Sequence, residues 1–451
     1  MFAVRRRRTN EDATQGRRWR LAATTLAAAG LTLVAASAPA AAQVTPLPGP
    51  ACTPVEYGGA GEPDVILATD LPMQGASAGR SEQMVAAVRL ALEDASWQAG
   101  ERRVGLQVCD DSLATTGAWD AATCRANAEA YASRPDVFAV VGTYNSGCAA
   151  EMLPILGQAP GGPVAMVSPG NTLVCLTEPG AGCPADEPAR FYPTGTRNYV
   201  RVVPNDADQA AGLVTFARAK DVRRPFVLFA AGDATSRGQA QAFIRAAKRA
   251  GVRPAGLRRW DPEGRGRDFR AVMRKVRRSG ADAVVLAGLT EQAGGALIRA
   301  KVAVLGPNAG AVKLIAFDGF AQQSTIDSAQ RAARGMFVGV PGRAPDALTG
   351  RGASIVERLG QAYDPVELYA PYAAQAAAVA LDAIARTTGD RAGVAPALLG
   401  TEVQDGIVGT FSFTESGDTT ARTITVFRAR QTFQAVREVE PPAALVAAAR
   451  G

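Results

Sequence analysis

The run DVILATDLPMQGASAGRSEQMVAAVRLALEDASWQAGERRVGLQVCDD at residues 64–111 contains a complete strand, helix and strand. Residues 65–68, Val-Ile-Leu-Ala, form a short apolar run suited to a buried strand. Met84, Val88, Ala91, Leu92 and Ala95 then recur at the spacing of one helical face, and residues 104–108 give a second strand. Two strands separated by a helix of this length must run parallel, because a tight hairpin joins only antiparallel neighbours.

The same alternation continues outward, with helices near 119–133 and 147–156 and strands at 137–141 and 164–167. Such a βαβαβαβ order implies a parallel sheet covered on both faces. A second stretch repeats it, with strands at 199–203, 226–229, 283–286, 314–317 and 336–340 and helices near 206–220, 236–249, 268–279 and 290–304. Asp206 to Gln209 has the form of a capping box with Asp206 as the cap. A long helix follows at 368–386, and the pattern closes with an expected hairpin: 409–413, a turn at Glu415-Ser416-Gly417-Asp418, and 423–427. The expected fold class is α/β, with two doubly wound parallel-sheet lobes of similar size.

The front of the chain reads as an address. Residues 1–42 hold seven arginines against Glu11 and Asp12, followed by the uncharged run LAATTLAAAGLTLVAA at 21–36 and the small residues SAPAAAQ. This is the pattern of a secretory signal peptide, with cleavage expected after Ala42 and Ala40 as the second choice. The apolar run is shorter than the about 20 residues that span a bilayer, and Pro39 follows it. Arg17-Arg18 gives a weak twin-arginine reading. Cys52 lacks the aliphatic residue three positions earlier that a lipoprotein signal would carry.

Charge and composition exclude several classes. The 451 residues are 47% hydrophobic and 20% charged, an ordinary globular balance. There is no histidine, which removes Ser-His-Asp triads, Cys-His pairs and His-bearing zinc sites. The formal charge is +7, but the first 42 residues carry +5 of it and leave +2 on the rest. The basic group Arg258, Arg259, Arg265, Arg267, Arg274, Lys275, Arg277 and Arg278 reads as a solvated helix face, so no nucleic-acid partner is expected.

All six cysteines lie between Cys52 and Cys183 without a C-x-x-C, which favours structural disulfides over a metal or redox site. Cys175 and Cys183 bracket a turn-rich loop, Cys109 at a strand end could reach Cys124 on the next helix, and Cys52 with Cys148 is the remainder. Six cysteines allow about 15 connectivities, and spacing alone does not choose among them.

In open parallel sheets ligands bind beyond the carboxyl ends of the strands. The segments there are 71–75 with Gln74, 142–147 with Asn145 and Ser146, 168–172 with Gly170, Asn171 and Thr172, 232–236, 288–290 with Thr290, and 318–320 with Asp318. Their small hydroxyls, amides and glycines at helix N-termini suit an anion, and Asp318 suits an ammonium. Capping helices and turning the chain would use the same residue types, so both uses stay open. Phosphate-loop, dinucleotide-fold and nucleophile-elbow motifs are missing. Asp110-Asp111 reads as a loop start in preference to a Mg²⁺ or Ca²⁺ site, and neither a metal nor a cofactor is expected.

Five segments in order, DLPMQGASAGRSEQMVAAVRLALEDA (70–95), VVGTYNSGCAAEMLPIL (140–156), VSPGNTLVCLT (167–177), YVRVVPNDADQAAGL (199–213) and GIVGTFSFTESGDTTARTITVFR (406–428), resemble the periplasmic leucine/isoleucine/valine-binding protein family. The resemblance implies the type I periplasmic binding fold, two lobes joined by a three-strand hinge, with a small polar ligand (amino acid, amide or short carboxylate) bound in the cleft with hinge closure for an ABC importer. It places lobe 1 at 63–198 plus 341–403, lobe 2 at 199–340 plus 404–436, and a peripheral tail at 437–451. Asn145, Ser146, Gly170, Asn171 and Thr172 match positions that hold a ligand carboxylate, while Thr290 and Asp318 match second-lobe contacts, Asp318 pairing an ammonium. Where members commonly carry Tyr-Gly after the first strand this chain has Ala78-Gly79, and the usual Asp-x-x-Tyr-Gly reads Asp233 to Gly238 without the tyrosine. The loss of two pocket aromatics points away from a branched-chain amino acid. What the resemblance implies is an exported monomer that works with ABC permease subunits and is not an enzyme. A sensor on the same scaffold, signalling through a separate partner, is the alternative.

Overall fold

The computed structural model describes residues 52–451; the expected signal peptide lies outside the described residues. The first lobe follows the expected alternation: β1 (Val65–Leu71), α1 (Ala78–Asp94), β2 (Gln98–Ala99), β3 (Arg102–Asp110), α2 (Ala121–Ser133), β4 (Val137–Gly142), α3 (Ser146–Leu156), β5 (Ala165–Ser168) and β6 (Tyr199–Arg201). Its six-stranded sheet has the order β2-β3-β1-β4-β5-β6, parallel except for the short β2. Every residue of β1 and β4 is buried, as strands covered on both faces require.

The second lobe contains α4 (Asp206–Ala219), β7 (Pro225–Ala230), α5 (Ala234–Arg249), β8 (Gly256–Trp260), α6 (Gly266–Arg278), β9 (Ala283–Ala287), α7 (Gly294–Leu305), β10 (Lys313–Ala316), α8 (Gln323–Ala329) and β11 (Phe337–Pro341). The chain then returns to the first lobe through α9 (Arg351–Gly360), α10 (Ala370–Ala385), α11 (Val394–Leu399), β12 (Glu402–Gly406) and β13 (Gly409–Ser412). It ends in the second lobe with β14 (Ile424–Ala429), β15 (Phe433–Val439) and α12 (Ala443–Arg450). The second sheet has the order β15-β14-β11-β10-β9-β7-β8, with β14 and β15 antiparallel. The alanine-rich α10 packs on α1, where Met84, Val88, Ala91 and Leu92 form the buried face.

The chain crosses between the sheets three times, after β6, after β11 and before β14, and these crossings are bonded together. Arg201 Nε donates to Asp418 Oδ1 at 2.7 Å, and Asn205 Nδ2 donates to Asp418 Oδ2 at 2.9 Å. Gly342 N donates to Thr423 O at 2.7 Å, and Thr425 Oγ1 donates to Gly342 O at 2.7 Å. Arg201 is fully buried, and its remaining donors reach Asn171 O, Leu173 O and Thr177 Oγ1.

Several expectations are corrected. The lobe boundary moves, because β6 pairs with β5 and so places residues 199–201 in the first sheet. The expected 409–427 hairpin does not form: its tight turn exists, with Thr414 N donating to Asp418 O, but β13 pairs with β12 while β14 joins β11. Residues 404–412 therefore sit with the first lobe, held by Val408 N donating to Gln375 Oε1 of α10. The tail at 437–451 is not peripheral, since β15 pairs with β14 and α12 buries Leu445, Val446 and Ala449 against the core of α4 and α5. Arg258 and Arg259 belong to the edge strand β8, whereas α6 presents the solvated basic face with Phe269, Met273 and Val276 inward.

The disulfides are Cys52–Cys109, Cys124–Cys148 and Cys175–Cys183, so only the last expected pairing is the observed one. The segment 52–56 runs antiparallel beside β3, with Thr53 N donating to Val108 O and Glu56 N to Leu106 O, which sets Cys52 opposite Cys109. Cys124 on α2 is then left facing Cys148 on α3.

Candidate functional site

The carboxyl ends of the strands from both lobes converge on one cavity of about 30 Å³. On the first-lobe side, β4 runs through Tyr144 and Asn145 into α3, and β5 runs into a loop containing Gly170 and Thr172; all four residues line the cavity with Ser146. Ser146 opens α3, so its N–H and that of Gly147 have no carbonyl one turn back. Ser146 Oγ accepts from the N–H groups of Thr172 at 3.1 Å and Leu173 at 3.2 Å, which joins the two loops into one rim. Cys148, two residues into the helix, is tied to α2 by its disulfide and fixes this helix end.

Two glycines admit aromatic walls. A Cβ on Gly170 would lie 2.7 Å from the Tyr144 ring, and one on Gly147 would lie 2.3 Å from Trp119. Tyr144 and Trp119 both line the cavity, so aromatic surface is supplied from positions other than the two where the sequence lacks it. The Tyr144 hydroxyl is buried and has no partner among the described residues. Behind the ring, the buried Arg80 guanidinium lies 3.6 Å from its centroid and donates to Ser77 Oγ at 2.9 Å.

The second lobe contributes Asp233, Thr235, Ser236, Gln239, Gly288, Leu289, Asp318 and Gly319. Asp233 caps α5 by accepting from Ser236 N and Oγ, and also accepts from Gln292 Nε2 at 2.8 Å. Asp318, just past β10, is buried; its Oδ1 accepts from Gln209 Nε2 at 2.8 Å and its Oδ2 from the Tyr369 hydroxyl at 2.8 Å. Burial raises the Asp318 carboxyl above the ordinary carboxylate range, opposed by those two hydrogen bonds. Burial and the charge of Asp318 push Asp206 up to about 7. Gln239 Nε2 joins the pair, donating to Asp206 Oδ1 at 3.0 Å and Asp318 Oδ1 at 3.4 Å.

Asn145, Ser146, Gly170, Thr172 and Asp318 are thus brought together, and three other expected residues are not. Asn171 is buried behind the rim, donating to Thr143 O at 2.8 Å and Tyr144 O at 3.0 Å and accepting from the Tyr199 hydroxyl at 3.1 Å. Thr290 donates to Gly319 O at 3.2 Å and bonds Thr325 Oγ1, which supports the wall from outside. Gln74 donates to Asp110 Oδ2 at 2.6 Å, tying the ends of β1 and β3. Asp110 also accepts from Met73 N and Ser112 N, as a loop start does. Trp119, Gln239 and Tyr369 went unseen because none lies immediately past a strand end: Trp119 is late in the loop between β3 and α2, Gln239 is inside α5 and Tyr369 caps α10, so only packing brings them to the site.

A family model described as periplasmic binding protein matches residues 68–434. This chain belongs to the periplasmic binding protein family. A leucine-binding protein from Thermotoga maritima is similar in structure, with a TM-score of 0.71 and 21% identity over 84% of this chain and 99% of that one. A branched-chain amino acid transporter substrate-binding protein from Streptococcus pneumoniae in complex with isoleucine has a TM-score of 0.67 at 16% identity, over 84% and 99%. A solute-binding protein from R. palustris in complex with 4-hydroxybenzoate has a TM-score of 0.68 at 14% identity, over 84% and 98%. A search of curated proteins finds no match. As a periplasmic binding protein of the type I fold, the chain is a solute binder and not an enzyme. No helix among the described residues is long and apolar enough to cross a membrane.

Proposed function

We propose that this periplasmic binding protein is the exported receptor of an ABC importer and captures a small solute bearing a carboxylate and an ammonium between its lobes. The observation that carries this reading is the polarity of the cavity between the lobes: a helix N-terminus with the Ser146 and Thr172 hydroxyls on one side, and the buried Asp318 carboxylate on the other. A helix N-terminus favours an anion, and a buried carboxylate favours a cation. Leucine, isoleucine and 4-hydroxybenzoate, named for similar structures, all carry a carboxylate. Tyr144 and Trp119 offer flat apolar contact, and the unpartnered Tyr144 hydroxyl offers one more hydrogen bond. The cavity is of water size, so an amino acid enters by parting the lobes, and closure assembles the site. Three disulfides agree with delivery to an oxidising compartment after cleavage near Ala42.

Calorimetry against amino acids, amides and short carboxylates tests the proposal. An amino acid is expected to bind, and Asp318→Asn to weaken it at least tenfold, about 1.4 kcal/mol, while leaving a plain carboxylate within a few fold. Equal weakening of both ligand types, or no binding across the panel, would overturn it.

A further inference from the structure

A second concavity lies at the far end of the second lobe. Strand β14 pairs antiparallel with β11, Phe337 facing Arg428, and the chain turns at 430–432 into β15. Gly335 N donates to Ala429 O at 2.9 Å, which brings residue 334 against that turn. The resulting groove has a volume of about 650 Å³ and is lined by Arg334, Arg428, Arg430, Gln431, Thr432 and Gln434. Residue 335 precedes β11, whereas the solute site follows the carboxyl ends of the strands, so the groove and the cleft occupy opposite ends of the sheet.

None of Arg334, Arg428 and Arg430 has an ion-pair partner among the described residues. The Arg428 guanidinium lies 5.9 Å from the centroid of the Phe337 ring. Like charges gathered in one concavity repel, and an anion seated among them removes that cost.

We infer that this groove binds a phosphate group. Guanidinium forks match the oxygens of phosphate and carboxylate alike. Three forks with the amides of Gln431 and Gln434 and the Thr432 hydroxyl outnumber what the two oxygens of a carboxylate accept, and suit the oxygens of a phosphate. That phosphate belongs either to a lipid headgroup or to a soluble phosphate compound, and the test separates the two.

The purified full chain is titrated with inorganic phosphate and with pyrophosphate in a calorimeter. In parallel it is sedimented with vesicles of phosphatidylglycerol in phosphatidylcholine and with vesicles of phosphatidylcholine alone. Binding to a soluble phosphate assigns a soluble ligand, and binding only to the phosphatidylglycerol vesicles assigns a lipid headgroup. Either is expected to weaken at least tenfold in Arg428→Ala/Arg430→Ala and in the single variant Arg430→Glu, whose residue is exposed. Arg430→Glu is expected to leave solute binding in the cleft unchanged. No binding to any probe, or binding that both variants retain, overturns the inference.

Discussion

Asp70, the sixth residue of β1, is fully buried and accepts from the Tyr131 hydroxyl and from Asn127 Nδ2 at 3.0 Å. Burial pushes its carboxyl up to about 7, against the pull of those two hydrogen bonds. Asp111 beside it is also buried, with both oxygens unpartnered among the described residues, and burial and the Asp70 charge raise it well above the ordinary carboxylate range. A carboxyl raised in the folded state holds its proton where the unfolded chain has lost it. Its contribution to stability is thus full below about pH 4 and is lost as pH rises through about 7. Asp70→Asn keeps an acceptor and carries no charge, so denaturant unfolding at about pH 5 and about pH 8 should show a flatter pH dependence. The gain at the higher pH is expected to be on the order of 2 kcal/mol; an unchanged slope would contradict the assignment. At this scale the sequence discloses which residue types sit past each strand, and Ser146, Thr172 and Asp318 were legible on that ground. It does not disclose which neighbour a side chain will find: Asn171 and Thr290 have the same chemistry as the lining residues but turn to backbone carbonyls behind the rim.

Among the elements, strands and helices with clear apolar periodicity were legible, and those shaped by their partners were not. Strand β8 has Leu257, Arg258 and Arg259 exposed at the sheet edge, which masks its strand character behind charge. Strands β13 and β14 read as one hairpin because a tight turn lies between them, yet each finds a better-matched partner elsewhere, in β12 and β11. The cystines show the same limit, since the Cys52–Cys109 pairing depends on the leader adding an antiparallel edge to β3. The Cys124–Cys148 bridge closes 24 residues and fixes the end of α3 that faces the cavity. In the chain-entropy model it contributes about 3 kcal/mol. Cys124→Ala/Cys148→Ala should lower unfolding stability by about that amount and weaken solute binding several-fold under conditions where the variant remains folded. Binding equal to that of the parent chain would separate α3 from the site.

At the level of the whole molecule, the two lobes touch through polar contacts that the solute site shares. The hydroxyl of Tyr369, which caps α10 of the first lobe, donates to Asp318 of the second, and Ser77 Oγ donates to Glu291 Oε1 across the same boundary. These bonds favour the closed arrangement before any solute is present. A solute moves the balance between open and closed forms only by the contacts it gains on closing. Tyr369→Phe removes one hydrogen bond to a charged group, worth about 1.5–3 kcal/mol, and leaves the ring to pack edge-to-face on Tyr144. The variant's ligand-free form should therefore open, giving a larger radius of gyration in solution scattering than the parent chain. Saturating solute should restore the compact value, because the ligand's ammonium then supplies Asp318 with the partner it lost. Apparent affinity should fall by roughly tenfold, since part of the binding free energy now goes to closing the lobes. An identical radius of gyration for both ligand-free proteins would show that the Tyr369 bond does not set the balance and that closure rests on the bonded crossings between the sheets alone.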